Sequence, residues 1–203
     1  KRFDEWKNDK TSKASVSATY PHEVLQTDDE ALAEKLWNNL PDFLSESKET
    51  ILPMIDTSGS MFGQPLAIAI SLGMYLAERG KGEYKDLFLT FDDEPELVRL
   101  QGDSVAERLR NIEKAHWGMN TDFEKASMPS MILVLSDMQF DESQRHRGQF
   151  TTHFSHMEDE FEKAGYDFPK IVFWNLDAHF GTPAKCSDDS VAMVSGFSPS
   201  IIR

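Results

Sequence analysis

The most informative segment of the chain is Ile51-Leu52-Pro53-Met54-Ile55-Asp56-Thr57-Ser58-Gly59-Ser60-Met61. Its first five residues form an apolar run of strand length, which ends at a carboxylate followed by two spaced hydroxyls. A strand that ends at Asp56 carries this side chain into the crevice at the carboxyl edge of an open α/β sheet, where such folds bind ligands. The pattern therefore predicts a buried parallel strand with a ligand site at its end.

The side chains that follow this strand are oxygen donors that suit a hard cation. Ser58 and Ser60 stand close behind Asp56, and a tight turn at Gly59 would bring both hydroxyls back toward the carboxylate. Oxygen donors favour Mg²⁺ or Mn²⁺ over Zn²⁺, which prefers nitrogen and sulfur. The same residue types are also common in turns and helix caps, so a loop that only caps the following helix is the alternative.

Two later segments offer further oxygen ligands. The apolar run Met131–Ser136 is followed by Asp137, as the first run is followed by Asp56. Thr121 lies in the polar loop at 118–122, ahead of a short helical stretch. Because Mg²⁺ needs more ligands than one carboxylate loop provides, we expect the site to be completed from elsewhere in the chain.

The series Asp56-x-Ser58-x-Ser60, Thr121 and Asp137 resembles the metal-ion-dependent adhesion site (MIDAS) of von Willebrand factor A (VWA) domains. The resemblance implies that the three hydroxyls coordinate Mg²⁺ or Mn²⁺ and that the aspartates act directly or through water. It also implies a vacant coordination position that accepts an acidic side chain of a protein partner. It implies no catalytic residue and no organic cofactor.

Three more stretches narrow the resemblance. They are Leu-Ser-Asp-Met-Gln-Phe-Asp at 135–141, Ile-Val-Phe-Trp-Asn-Leu at 171–176 and Val-Ser-Gly-Phe-Ser-Pro-Ser at 194–200. Together they are similar to the carboxyl-terminal part of an uncharacterised DUF2828-type family of plants, bacteria and viruses. That family resembles the Ro ribonucleoprotein, which has a helical region followed by a VWA module. The resemblance covers residues 20–203 and implies possible RNA contact through the full-length protein.

Composition excludes several classes of protein. The chain has 203 residues, and its 35 acidic and 21 basic residues give a net charge of −14, which opposes non-specific binding to nucleic acid phosphates. The single Cys186 excludes an internal disulfide framework and favours a reducing compartment, so we expect a cytoplasmic protein. We expect no membrane association, because no apolar run approaches the roughly 20 residues that span a bilayer.

Strand-like and helix-like segments alternate along the chain. Helical patterns cover 21–44, the stretch from Pro65 to Gly80 and a stretch beginning at Asp103, whereas strand patterns cover 51–55, 87–91, 131–136, 171–175 and 191–194. These patterns predict an α/β fold, a doubly wound and mostly parallel sheet flanked by helices. It would be Rossmann-like, with one antiparallel edge strand near Glu94.

The domain prediction places an amino-terminal arm and helical extension at 1–48, as the end of a longer protein's upstream region. The VWA-like domain follows at 49–203. A crossover between parallel strands usually takes a dozen or more residues, but only 122–130 are available after Thr121. We therefore expect a missing segment near Ala126 and Ser127.

Three functions remain open from the sequence. The first is a metal-dependent module that binds a partner through Asp56, Ser58, Ser60, Thr121 and Asp137. The second is a Ro-like scaffold that handles RNA. The third is a Mg²⁺-dependent phosphoesterase with Asp56 as nucleophile. The third is disfavoured, because Ser58 stands where haloacid-dehalogenase-like phosphatases carry a second Asp.

Overall fold

The computed structural model describes residues 2–9, 12–16, 19–91, 96–114, 128–138, 163, 167–177 and 191–202. The helices in these ranges are α1 (Arg2–Asn8), α2 (Pro21–Leu25), α3 (Glu30–Asn38), α4 (Gln64–Arg79) and α5 (Val105–Lys114). The strands are β1 (Ile51–Ile55), β2 (Leu87–Thr90), β3 (Leu97–Arg99), β4 (Met131–Ser136), β5 (Lys170–Asn175) and β6 (Val191–Ser195).

The strands form one sheet in the order β3-β2-β1-β4-β5-β6. All neighbouring strands are parallel except β3, which pairs with β2 in the antiparallel direction at the edge. This order is that of a doubly wound, Rossmann-like sheet, in which the chain leaves the centre first on one side and then on the other. The α/β fold class and the antiparallel edge strand predicted from the sequence are therefore confirmed.

Strand β1 lies at the centre of the sheet although it contains Pro53, which has no N–H to donate. Backbone N–H groups alternate sides along a strand, and the N–H of Asp56 donates to the carbonyl of Leu135 on β4 at 3.0 Å. The nitrogen of Pro53 therefore faces β2. The missing N–H removes a donor on that side, and the ladder with β2 starts only after the proline, at Met54 and Ile55.

Helix α4 packs against β1 and holds its carboxyl end in place. Most of the helix from Ile68 to Ala77 is buried, because apolar and small side chains occupy nearly every side of it. Gly73 makes the closest approach: a Cβ at this position would lie 2.4 Å from Cδ1 of Ile55. A glycine is thus needed for the helix to reach the residue that precedes Asp56.

The amino-terminal segment packs into the same hydrophobic core as α4. Trp37 of α3 is fully buried, and its indole nitrogen donates to Glu78 Oε2 at 2.7 Å. The hydroxyl of Tyr75 on α4 donates to the carbonyl of Pro41 at 2.5 Å and accepts from the N–H of Phe43 at 3.0 Å. These contacts tie residues 37–43 to α4, while the predicted domain boundary at residue 48 stays a prediction.

One local expectation for this segment was wrong. The helical pattern over 21–44 is divided into α2 and α3, because Asp29 caps a new helix by accepting from the N–H of Leu32 at 3.1 Å. The amino-terminal arm contains α1. Lys35 holds the segment that follows α1, since its ammonium group donates to the carbonyl of Asp9 and the hydroxyl of Ser12, both at 2.6 Å.

Some expectations lie outside the described residues. They include the crossover after Thr121, with the suspected missing segment at Ala126 and Ser127, and the environment of Cys186. Within the described ranges, no helix combines the length and apolar character that a membrane crossing requires.

Candidate functional site

The carboxyl ends of β1 and β4 bring Asp56 and Asp137 to the same edge of the sheet. These strands are parallel neighbours, and Ile55 pairs with Leu135 in register. The chain continues from β1 to one side of the sheet and from β4 to the other, so the two aspartates stand at the switch point of the topology. Open α/β sheets bind ligands in the crevice at such a point.

Asp56 lies at the buried floor of the site, with 2% of its surface exposed. One carboxylate oxygen, Oδ1, accepts from the N–H of Ser58 at 2.9 Å, and the other, Oδ2, accepts from the hydroxyl of Ser136 at 2.5 Å. No basic side chain among the described residues forms an ion pair with Asp56. Since a buried carboxylate is costly without a compensating positive charge, this environment favours a cation.

The hydroxyls of Ser58 and Ser60 form the exposed rim of the site, above Asp56. A 3₁₀ turn at Gly59–Met61 reverses the chain and brings the two oxygens to 3.1 Å from each other. The hydroxyl of Ser60 also donates to Oδ1 of Asp137 at 3.3 Å, and Asp137 is 1% exposed. The loop after β1 and the residue after β4 are thereby joined directly.

Met61 anchors the turn. Its side chain is fully buried, and its sulfur accepts from the N–H of Asp137 at 3.1 Å. One residue further, Phe62 is 88% exposed, and Gly63 takes a backbone φ of 97° before α4 begins. The turn is thus fixed from below by Met61 and leaves an aromatic ring in solvent.

The donor set fits a small divalent cation. Ligands about 2.1 Å from Mg²⁺ in an octahedron lie about 3 Å from each other, close to the separations of 3.1 and 3.3 Å among the oxygens of Ser58, Ser60 and Asp137. No group of three or more His, Cys, Asp or Glu side chains within the described ranges is arranged to hold a metal, so the hydroxyls are needed. The described residues therefore form neither a zinc site nor a site built from carboxylates alone.

The structure brings together Asp56, Ser58, Ser60 and Asp137, which are four of the five residues that the sequence predicted as metal ligands. Thr121 lies outside the described residues. The role of all five as ligands stays a prediction.

Sequence reasoning did not assign a role to Ser136. This residue is fully buried, and its hydroxyl donates to Asp56 while accepting from the N–H of Met138 at 3.0 Å. Met138 has a positive φ of 62°, a strained conformation for a residue with a side chain. Ser136 therefore connects the buried carboxylate with a strained turn. A hydroxyl at the end of an otherwise apolar strand was the available signal.

Comparisons with known proteins agree with the fold and leave the activity open. The model of a family described as a domain of unknown function (DUF7788) matches residues 50–203. The chain is 28% identical over 217 positions to the uncharacterized protein L728 of Acanthamoeba polyphaga mimivirus, covering 95% of this chain and 38% of that protein.

A solved structure is also similar. The crystal structure of the Deinococcus radiodurans Ro (RSR) protein superposes with a TM-score of 0.51 at 15% identity, covering 84% of this chain and 35% of that one. At this identity the likeness concerns the fold alone. It supports the Ro-like part of the predicted resemblance, while the DUF2828-type family and the MIDAS stay predictions.

Proposed function

The chain belongs to the family described as a domain of unknown function (DUF7788), and this family membership assigns it no function. From the geometry of the site, we propose that the chain is a Mg²⁺-dependent module that binds an acidic protein segment. Asp56, Ser58, Ser60 and Asp137, together with Thr121, would hold Mg²⁺ or Mn²⁺. The bound cation would supply an open coordination position for a carboxylate of the partner.

One observation carries this proposal. Two carboxylates that are almost completely buried lie at the ends of adjacent parallel strands, and exposed hydroxyls stand over them. A turn that only capped α4 would not need the carboxylates, and the helix cap position is in fact occupied by Gly63, which has no side chain to donate or accept. The alternative of a simple capping turn is therefore disfavoured.

The arrangement also favours binding over catalysis. A carboxylate nucleophile must reach its substrate, but both oxygens of Asp56 accept internal hydrogen bonds and the residue is 2% exposed. We therefore propose no enzyme activity. Metal-dependent turnover of a panel of phosphoesters, abolished in Asp56→Asn, would contradict this part of the proposal. The expected cytoplasmic location belongs to the same proposal.

The first experiment measures the metal alone. Binding of Mn²⁺ is followed by electron paramagnetic resonance, and Mg²⁺ is added as a competitor. We expect Asp56→Asn to weaken binding by at least about 100-fold, since loss of groups that merely support a ligand already costs about 10- to 100-fold. The matched control is Asp28→Asn, an exposed carboxylate outside the site, which should bind Mn²⁺ like the wild type.

The second experiment tests the partner chemistry. A library of short displayed peptides, each with one fixed Glu among random positions that exclude Asp and Glu, is applied to the immobilised chain. We expect capture in Mg²⁺, and we expect it to be lost with a chelator, with a library that carries Gln instead of Glu and with Asp56→Asn. Capture that is unchanged by the chelator would refute the proposal.

A second candidate is a Ro-like scaffold that contacts RNA, and the likeness to the Ro protein fold favours it. The net charge of −14 opposes it for this chain. Phosphate contacts weaken binding steeply as salt rises from about 50 to about 200 mM, so a gel-shift assay with single-stranded RNA at both concentrations identifies them. The absence of any shift would exclude this candidate for the chain itself.

A further inference from the structure

Phe62 is the most exposed large apolar side chain among the described residues. Its exposed fraction is 88%, whereas the next, Phe3, is 56% exposed. Single apolar residues on a surface are ordinary, but this one stands two residues after Ser60, whose hydroxyl belongs to the candidate metal site. Its location rather than its exposure alone distinguishes it.

The backbone under the Phe62 ring is held from both sides. Its N–H donates to the carbonyl of Gly59 at 3.3 Å, and the preceding Met61 is fully buried. On the other side, Gly63 has a φ of 97°, which side chains rarely adopt, and α4 starts immediately after it. An aromatic ring on a fixed backbone gives a large contact area at a low cost in conformational entropy.

The short chain distance keeps Phe62 close to the candidate metal site. The α-carbons of Ser60 and Phe62 are at most about 7 Å apart, because two residues of chain span no more than that. An extended peptide advances about 3.3 Å per residue. In an extended partner whose carboxylate lies at the site, side chains one or two positions away are therefore at the right distance to contact Phe62.

The acidic charge of the chain makes an apolar contact useful for binding an acidic partner. An acidic partner approaches a chain whose net charge is −14, and long-range repulsion opposes this encounter everywhere except at the cation. Apolar contact is independent of charge and would add affinity that repulsion does not remove. A partner without an apolar side chain beside its acidic residue would lack this contribution.

We infer that Phe62 is the second contact of the metal-dependent site and that the partner is an extended acidic segment with a large apolar side chain within two positions of its Asp or Glu. This inference rests on the proposed function, and it specifies the partner more narrowly.

The test sequences the peptides captured from the fixed-Glu library in Mg²⁺. With the wild type, aromatic or large aliphatic residues should be enriched within two positions of the Glu. With Phe62→Ser, Mg²⁺-dependent capture should persist, but this enrichment should disappear. The best wild-type peptide should bind Phe62→Ser about tenfold more weakly. The matched control is Phe3→Ser, which removes an exposed ring from α1 and should select the same peptides as the wild type.

The outcomes separate the two proposals. Mg²⁺-dependent capture by the wild type without apolar enrichment, or with enrichment that Phe62→Ser retains, would overturn this inference and leave the proposed function standing. The absence of Mg²⁺-dependent capture by the wild type would overturn both. If Phe62→Ser instead weakened binding of single-stranded RNA and left the selected peptides unchanged, the ring would serve base stacking, and the inference would be wrong. Unchanged Mn²⁺ binding by Phe62→Ser shows that the site itself is intact.

Discussion

Replacing Ser136 with alanine removes the hydroxyl that connects Asp56 to the turn after β4. The lost hydrogen bond to the carboxylate, 2.5 Å long and fully buried, is of the charged kind that contributes about 1.5 to 3 kcal/mol. The N–H of Met138 also loses its partner, which costs about 1 to 3 kcal/mol more. Because neighbouring groups relax, we expect Ser136→Ala to lower the free energy of unfolding by about 3 kcal/mol.

The matched control is Ser71→Ala in α4. Ser71 is also fully buried, but its hydroxyl donates to a neutral acceptor, the carbonyl of Ile68, at 2.9 Å. Loss of such a bond costs about 1 kcal/mol, and the higher helix propensity of alanine returns about half of this. We therefore expect Ser71→Ala to cost about 0.5 kcal/mol, although both variants delete the same atom from a buried serine.

Ser136→Ala should also weaken the metal site. Ser136 does not belong to the predicted ligands, but it orients the Asp56 carboxylate, and loss of such supporting hydrogen bonds weakens metal affinity by about 10- to 100-fold. Mg²⁺ that binds only the folded chain raises the free energy of unfolding by an amount that depends on its concentration relative to the dissociation constant. One Mg²⁺ titration therefore reports both the free energy of unfolding and the affinity for Mg²⁺.

The assay is urea unfolding at a series of Mg²⁺ concentrations, followed by tryptophan fluorescence, to which the fully buried Trp37 and Trp174 contribute. We expect the wild type and Ser71→Ala to gain stability with Mg²⁺ at the same concentrations, and Ser136→Ala to need higher ones. If Ser136→Ala loses no more stability than Ser71→Ala and has the same Mg²⁺ dependence, our reading of the site is refuted.

Two further predictions concern the fold around the site. Gly73→Ala would place a Cβ 2.4 Å from Ile55 Cδ1, and we expect a net loss of about 1 to 2 kcal/mol, since overpacking costs about 1 to 3 and the better helix former returns about 1. A double-mutant cycle with Ile55→Ala should show coupling of about 1 kcal/mol or more, and additive effects would contradict the proposed contact. Burial lowers the pKa of His22 from its usual 6.5, against the opposing charge of Glu23. The unfolded chain then binds more protons between the lowered pKa and 6.5, so stability should be lost as the pH falls through this interval. Urea unfolding at about pH 7.5 and about pH 5.5 should show this loss in the wild type and a smaller one in His22→Phe, and equal losses would argue against a buried neutral imidazole.

The central strands β1 and β4 were predictable because they are largely buried and read as continuous apolar runs. The runs at 51–55 and 131–136 match β1 and β4 to the residue, and the helix between Pro65 and Gly80 is displaced by only one residue. In contrast, the break between α2 and α3 was missed. Its signal is the single capping residue Asp29 within an otherwise continuous helical pattern, which local periodicity does not reveal.

The sequence by itself determined the donor chemistry of this protein: a carboxylate and two hydroxyls after one apolar run, and a second carboxylate after another. Tertiary structure decided that these groups meet. Asp56 and Asp137 are far apart along the chain, and only the pairing of β1 with β4 places them at one edge of the sheet. The same register brings the Ser136 hydroxyl to Asp56. Strand order and register depend on the packing of the whole core, so no local pattern contains them.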